Sequence, residues 1–131
     1  MTISFFGPDD VPQPPDQVKI EHLAAFPSED GWRVKVEVHV TPFQQRPNLE
    51  MQLVYEPERD SVQVADFSII ETMHPKMEFT MHVRRIENPV GMYILNVVLY
   101  YRQTPSEGDT SVAPAKIVDR KSITFSYPSA N

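Results

Sequence analysis

The chain has 131 residues, 40% hydrophobic and 23% charged, which is enough for one domain with its own core and too little for two ordinary domains. Its net charge of −6 opposes the counterion release that drives nucleic-acid binding, so we expect no nucleic-acid partner. Cysteine is absent, which excludes disulfides, thiolate nucleophiles and cysteine-ligated metals.

The amino terminus gives no sign of export. Residues 1–7 carry neither a basic region nor a long apolar core, and no stretch of the chain reaches the roughly 20 apolar residues of a membrane span. The pattern predicts a cytoplasmic protein without a membrane span, although a domain of a secreted protein would have the same composition.

The first element along the chain is a proline-rich arm over residues 1–16. Pro8, Pro12, Pro14 and Pro15 fix φ near its extended value, so the arm is predicted to be polyproline-like. Residues 17–128 then form the predicted domain.

Four strands are predicted between the arm and residue 70, because apolar residues there recur with period 2. The clearest is the second, in which apolar and polar residues alternate from Trp32 to Thr41. The fourth changes phase near Ala65-Asp66, which indicates a β-bulge or a strand that switches sheets. The apolar positions are, in order, Val18 and Ile20; Trp32, Val34, Val36, Val38 and Val40; Leu49, Met51, Leu53 and Tyr55; and Val62, Val64, Phe67 and Ile69.

Three further strands complete the pattern, and no helical period is evident. Seven short strands separated by turns favour an all-β antiparallel sandwich over a barrel or an α/β fold. The apolar positions of the last three strands are Phe79, Met81 and Val83; Tyr93, Leu95, Val97 and Leu99; and Ile117, Ile123, Phe125 and Tyr127.

A tight turn leads into the sixth strand through Gly91-Met92-Tyr93-Ile94-Leu95. On this segment and the strand count, residues 18–127 resemble the immunoglobulin-like and fibronectin type III-like superfold. The resemblance implies a seven-stranded immunoglobulin-like β-sandwich with a tyrosine corner, in which the Tyr93 ring packs in the core and its hydroxyl bonds to nearby backbone. It implies no activity, since this superfold hosts many unrelated functions.

Motifs for catalysis are missing from the sequence. No G-x-S-x-G elbow occurs, and four glycines form no phosphate-binding loop. We therefore predict that the chain is not an enzyme, has no catalytic residue and needs no cofactor.

Metal ligands are also predicted to be absent. His39 and His82 fall on the polar faces of strands that should be neighbours; they are interpreted as solvated side chains, with a surface metal or anion site as the less favoured alternative. The turn containing Glu56, Glu58 and Asp60 offers calcium-type ligands but has no glycine for a sharp loop, so it is interpreted as a solvated turn.

The sixth strand is apolar on both faces, which is unusual where one face of a sandwich meets water. Its second face presents Met92, Ile94, Val98 and Tyr100, and we predict that these side chains bind a protein, a second copy of the chain included. In antibody variable domains this sheet face is the pairing surface, so the resemblance also implies a homodimer. The alternatives are that Phe5 and Phe6 of the arm, or the following loop, cover the face.

The loop from Gln103 to Lys116 is longer than a hairpin needs, and loops at a sandwich end often form binding surfaces. Its binding candidates are Thr104, Glu107, Asp109 and Thr110. A loop without function is the alternative.

The preferred interpretation is a non-enzymatic module for protein–protein interaction or assembly, self-association included. The second interpretation is a small-molecule or carbohydrate-binding module, which would need exposed aromatic rings. The candidate rings are Trp32, Tyr55, Tyr100, Tyr101 and Tyr127, but the first two and the last lie in core phase.

Overall fold

The computed structural model describes residues 11–102 and 115–128. It contains one short 3-10 helix and seven strands, which confirms the all-β prediction. The bounds are η1 Pro15–Gln17, β1 Ile20–Pro27, β2 Arg33–Val40, β3 Asn48–Tyr55, β4 Val62–Ile69, β5 Lys76–His82, β6 Gly91–Arg102 and β7 Ala115–Tyr127.

The strands form two antiparallel sheets that pack as a sandwich. One sheet has the order β1-β2-β5, and the other has the order β4-β3-β6-β7. Alternate residues of each strand turn inward, as the period-2 pattern predicted, and the central strands β2, β3 and β6 supply most of the core. Val36, Leu53 and Leu95 are fully buried, and each such side chain contributes about 1.5–3 kcal/mol through burial.

The predicted change of phase in the fourth strand is confirmed as a β-bulge. Leu53 pairs with Ala65, but the next residue, Val54, pairs with Gln63, so Val64 is the extra residue. Val64 is only 2% exposed. Because of the bulge, apolar side chains on both sides of it can face the core, although they alternate in opposite phases along β4.

A second bulge, in β7, was not predicted. Leu99 pairs with Asp119 while Tyr100 pairs with Ile117, which leaves Val118 as the extra residue. The Asp119 carboxylate accepts a hydrogen bond from the Ile20 amide at 2.8 Å and so joins the edges of the two sheets. Apolar and polar residues do not alternate clearly around residue 118, so the sequence contains no sign of this register shift.

The described part of the arm is held against the β2–β3 loop. The Gln13 amide donates to the Pro42 carbonyl at 2.8 Å, and the Gln44 amide donates to the Gln13 carbonyl at 2.9 Å. The predicted extended conformation gives way to the 3-10 turn at residues 15–17, where proline occupies the start of the helix. Residues 1–10, which include Phe5 and Phe6, lie outside the described residues.

Three tyrosine hydroxyls donate to loop carbonyls at one end of the sandwich. Tyr93 bonds to Pro89 at 2.5 Å, as the tyrosine-corner prediction required, and Tyr55 bonds to Val90 at 2.7 Å. Tyr127 bonds to Glu29 at 2.6 Å. Burial, followed by the nearby Tyr55 and Tyr127, raises the pKa of Tyr93 to about 12.

Gly91 begins β6 directly beneath one of these rings. Its φ is +150°, and a Cβ there would lie 2.7 Å from Tyr55 Cε2. The close approach of ring and backbone explains why glycine precedes the corner tyrosine. Within residues 11–102 and 115–128, no helix has the length and hydropathy needed to cross a membrane.

Candidate interaction surface

Four rows of side chains cross the outer face of the four-stranded sheet, on the side away from the core. Their positions follow from the pairing of β6 with β3 and β7, since directly paired residues share a face. The rows are Val54–Ile94–Thr124, Gln52–Asn96–Ser122, Glu50–Val98–Arg120 and Asn48–Tyr100–Ile117.

An apolar stripe runs along β6 through these rows. We define the β6 stripe as Met92, Ile94 and Val98 of β6 with Val54 of β3 and Ile117 of β7. Met92 is 50% exposed and Ile117 is 45% exposed, and the other three are partly exposed. The outer face of the central strand therefore offers apolar surface to solvent.

Tyr100 does not share this exposure. It is 6% exposed, and the Arg102 guanidinium lies over its ring at 5.4 Å from the centroid. The side-chain amide of Asn48 donates to the Tyr100 carbonyl at 3.2 Å. Of the four predicted outer side chains, three are therefore accessible to a partner and the fourth supports the end of the stripe.

A polar pair divides the β6 stripe near its middle. The Ser122 hydroxyl donates to Asn96 Oδ1 at 2.6 Å, across from Gln52 on the other side. Because Ser122 and Asn96 bond to each other and Gln52 is exposed, the polar row costs little on the free surface. The stripe thus consists of two apolar patches separated by one polar row.

Charges on the two sides of the stripe have opposite sign. Glu50 lies on β3, and Asp66 of β4 pairs with Gln52, so the β3/β4 side is acidic. Arg120 of β7 makes the other side basic, and Arg102 lies at the end of β6 itself. All four of these residues are exposed.

Sequence reasoning missed part of this surface. Val54 was visible as an apolar residue in the polar phase of its strand, but its place beside Ile94 depends on strand order. Ile117 joins the stripe only because of the bulge at Val118. The loop candidates Thr104, Glu107, Asp109 and Thr110 lie outside the described residues, as do Phe5 and Phe6.

A cleft of about 310 Å³ opens beside Met92 at the β3–β4 turn. Glu56 is held there in the left-handed region, with φ of 51°, and its amide donates to the Met92 carbonyl at 2.8 Å. Burial and then the Glu56 carboxylate raise the pKa of Tyr55. The lining residues are Glu56, Pro57, Glu58, Arg59, Gly91, Met92 and Thr124.

Metal ligands do not converge in the described part of the chain. No group of three His, Cys, Asp or Glu side chains there could hold a metal ion, so the calcium-type turn brings no such set together. The alternative of a site shared by His39 and His82 is wrong. His39 pairs with Lys76 and His82 pairs with Arg33, at opposite ends of the β2–β5 ladder.

A different histidine pair occurs on the three-stranded sheet. His22 lies directly across from His39, with ring centroids 4.6 Å apart, and His22 Nε2 is 3.3 Å from Glu37 Oε1. The sequence did not reveal this contact, because the β1–β2 register shifts between Ile20 and His22.

No family model matches the chain, and no curated protein matches it. Among solved structures, a glycosyl hydrolase family 2 member from Bacteroides cellulosilyticus aligns with a TM-score of 0.50 at 14% identity, over 83% of this chain and 15% of that chain. A second structure of a family 2 member from this species aligns at 0.44, with 16% identity, over 83% of this chain and 14% of that one. A Bifidobacterium dentium beta-glucuronidase complexed with coumarin-3-O-glucuronide aligns at 0.34, with 18% identity and coverage of 83% and 16%.

These likenesses concern architecture. At 14% identity the first alignment shows a shared β-sandwich fold. The chain spans only a small part of each of these proteins, between 14% and 16% of their length.

Proposed function

We propose that the chain is a non-catalytic β-sandwich module that associates with a protein surface through the β6 stripe, a second copy of the chain included. The observation that supports this most directly is the partial exposure of Met92, Ile94 and Val98 on the outer face of a central strand. An antiparallel sandwich normally presents polar residues to water at such positions.

The energetic gain from covering this stripe is modest. Apolar burial contributes about 25 cal/mol per Å², against which association loses translational and side-chain freedom. A surface with two small apolar patches and a polar middle row therefore suits a weak, reversible contact.

We further propose that the sandwich is of the immunoglobulin-like kind. The hydrogen bond from Tyr93 to the Pro89 carbonyl, four residues upstream, supports this assignment because it has the geometry of a tyrosine corner. The corner and the other two tyrosine contacts fix one end of the scaffold, so the outer face of β6 is held in a defined shape.

A dilution series followed by methyl NMR tests the proposed function. Association through the stripe predicts that the methyl signals of Val54, Ile94 and Val98 shift with concentration, while Val11 keeps its position. Concentration-dependent shifts confined to other parts of the chain would contradict the β6 stripe as the contact surface, and no shifts at all would contradict self-association through it.

A matched pair of substitutions supplies the control. Met92 in the stripe is 50% exposed, and Phe26 on the outer face of the other sheet is 48% exposed. Met92→Asp is expected to suppress the concentration-dependent shifts, whereas Phe26→Asp leaves them unchanged. Equal effects of the two variants would mean that association is a general response to exposed apolar surface.

A second candidate function is carbohydrate binding in the cleft beside Met92. Two observations favour it: the cleft combines carboxylates, an arginine and a hydroxyl with an apolar wall, and the structure that aligns at a TM-score of 0.50 is described as a glycosyl hydrolase family 2 member. No aromatic ring is among the described lining residues, and for this reason we place it second.

Titration with cellohexaose, monitored by amide NMR, tests this second candidate. Binding in the cleft predicts saturable shifts of the Gly91 and Thr124 amides that disappear in Arg59→Ala. Absence of shifts with both this ligand and xylohexaose would argue against a carbohydrate site.

A further inference from the structure

We propose that the partner of the β6 stripe is a second copy of this chain, packed face to face about a two-fold axis that runs parallel to β6. In this dimer Glu50 of each copy faces Arg120 of the other. The inference rests on the proposed function and adds the identity of the partner and its orientation.

Symmetry allows two orientations for an isologous contact between two copies of this face. When two copies of one face pack together, the two-fold axis in the interface lies either along the strands or across them. An axis along the strands places the β3/β4 side of one copy over the β6/β7 side of the other. An axis across the strands places each side over its own counterpart.

Charge distinguishes these two arrangements. In one row of the face Glu50 lies on β3 and Arg120 lies on β7, on either side of β6, while Arg102 belongs to β6 itself. An axis along β6 places Glu50 of each copy over Arg120 of the other and brings only Arg102 near its own copy, whereas an axis across the strands through this row pairs Glu50 with Glu50 and Arg120 with Arg120. Since juxtaposed like charges disfavour association, the first arrangement is the one the surface favours.

The register of the rows agrees with the same arrangement. Glu50, Val98 and Arg120 belong to one row, so an axis along β6 brings Val98 against its own copy with an ion pair on each side. In the next row, Gln52 of one copy faces Ser122 of the other, so two polar side chains lie opposite each other. Packed sheets are offset by about 30°, so rows near the centre meet most directly.

The size of the face sets the expected affinity. From Met92 to Tyr100 the strand is about 27 Å long, and four strands are about 14 Å wide, which is a flat area of roughly 380 Å² per copy. Over both copies this is roughly 760 Å², which is below the roughly 1,200–2,000 Å² of stable interfaces, so we expect a weak, transient dimer with a dissociation constant above the micromolar range.

Sedimentation velocity of charge-reversal variants at low ionic strength tests the orientation. Glu50→Arg and Arg120→Glu are each expected to raise the dimer dissociation constant about tenfold, because each converts two attractive contacts into two repulsive ones. The double variant Glu50→Arg with Arg120→Glu restores the pairs and should return to within about threefold of the original value. Added salt should reduce these differences.

Mixing the two single variants gives a further readout. One copy then carries arginine at both positions and the other carries glutamate at both, so a heterodimer regains both ion pairs. We expect the equimolar mixture to associate more tightly than either variant alone. All substituted positions are exposed, and thermal unfolding checks that the variants remain folded.

The outcomes separate this inference from the proposed function. Single reversals that leave association unchanged or strengthen it, in a protein whose dimer is broken by Ile94→Asp, would overturn the orientation and leave the association surface in place. A protein that stays monomeric, or a dimer that Ile94→Asp does not affect, would overturn the choice of partner as well.

Discussion

The two faces of β6 belong to the same twelve residues but meet different surroundings. On the inner face, Tyr93, Leu95, Val97 and Leu99 are each at most 1% exposed. On the outer face, Met92 is half exposed, and Ile94 and Val98 are partly exposed, with Asn96 between them. Both faces are rich in apolar residues, yet only the inner one is closed by the rest of the described chain.

The two faces of β6 differ in whether the fold depends on their apolar residues. The inner residues are required because they contact the opposite sheet and fill the core. Among the described residues, the outer side chains lie beside their paired neighbours on β3 and β7 and do not face the opposite sheet. Their apolar character is therefore the feature on which the proposal of a partner rests.

Truncation on each face should give the sharpest contrast. Leu95→Ala is expected to lower the free energy of unfolding by about 2–5 kcal/mol, because it leaves a cavity in a closed core. Ile94→Ala should lower it by less than about 1.5 kcal/mol, since water can reach the vacated space. Chemical denaturation measures the free energy of unfolding of both variants. Similar losses of stability would contradict the proposed difference between the two faces.

Removal of the Tyr93 hydroxyl on the inner face is expected to lower the free energy of unfolding by less than the truncation of Leu95. Tyr93→Phe should lower the free energy of unfolding by about 1 kcal/mol or more, because the hydrogen bond to the Pro89 carbonyl is lost. Met92→Leu, one position away on the outer face, is expected to change it by less than about 0.5 kcal/mol. An unchanged stability in Tyr93→Phe would show that the corner hydroxyl is solvated.

Alkaline pH probes the same face through its tyrosines. Burial raises the pKa of both Tyr93 and Tyr101 from 10.0 to about 12. Both groups stay protonated in the folded state after they ionise in the unfolded chain, so stability is full below pH 10 and falls as pH rises from 10 toward 12. Denaturant titrations across this window should show the loss, and Tyr93→Phe should reduce its slope; an equal slope would assign the loss to other groups.

The smallest expected effect concerns the polar row of the outer face. Asn96→Val would join the two apolar patches and leave Ser122 to bond with water. We expect dimerisation to strengthen by about threefold with little change in unfolding free energy. Weaker association in this variant would mean that the polar row contributes a specific contact.

The sequence predicted the core well because burial in a sandwich follows period 2. The second and sixth strands show this most clearly, and even the bulge at Val64 produced a visible change of phase. The pairing of strands could not be predicted in this way, because it depends on which strands become neighbours in the fold. Arg120 could be placed beside Val98, and Ile117 beside Tyr100, only after the β6–β7 register and the bulge at Val118 were known.

The same reason explains the mixed outcome for the candidate site. The sequence places Met92, Ile94 and Val98 on the outer face of the sixth strand, because their phase in the strand is local information. Tyr100 has the same phase but lies under Arg102 and beside Asn48, contacts that no local pattern contains. The opposite charges of the two sides likewise appear only when four strands are placed in order.

The most direct test of the association surface is the solution mass of the original chain and of Ile94→Asp, measured by light scattering over about a hundredfold range of concentration. Association through the β6 stripe predicts a mass that rises from monomer toward dimer for the original chain and stays monomeric for the variant, with similar unfolding curves for both. A monomer at every concentration, or a variant that dimerises as well as the original chain, would contradict self-association through this face.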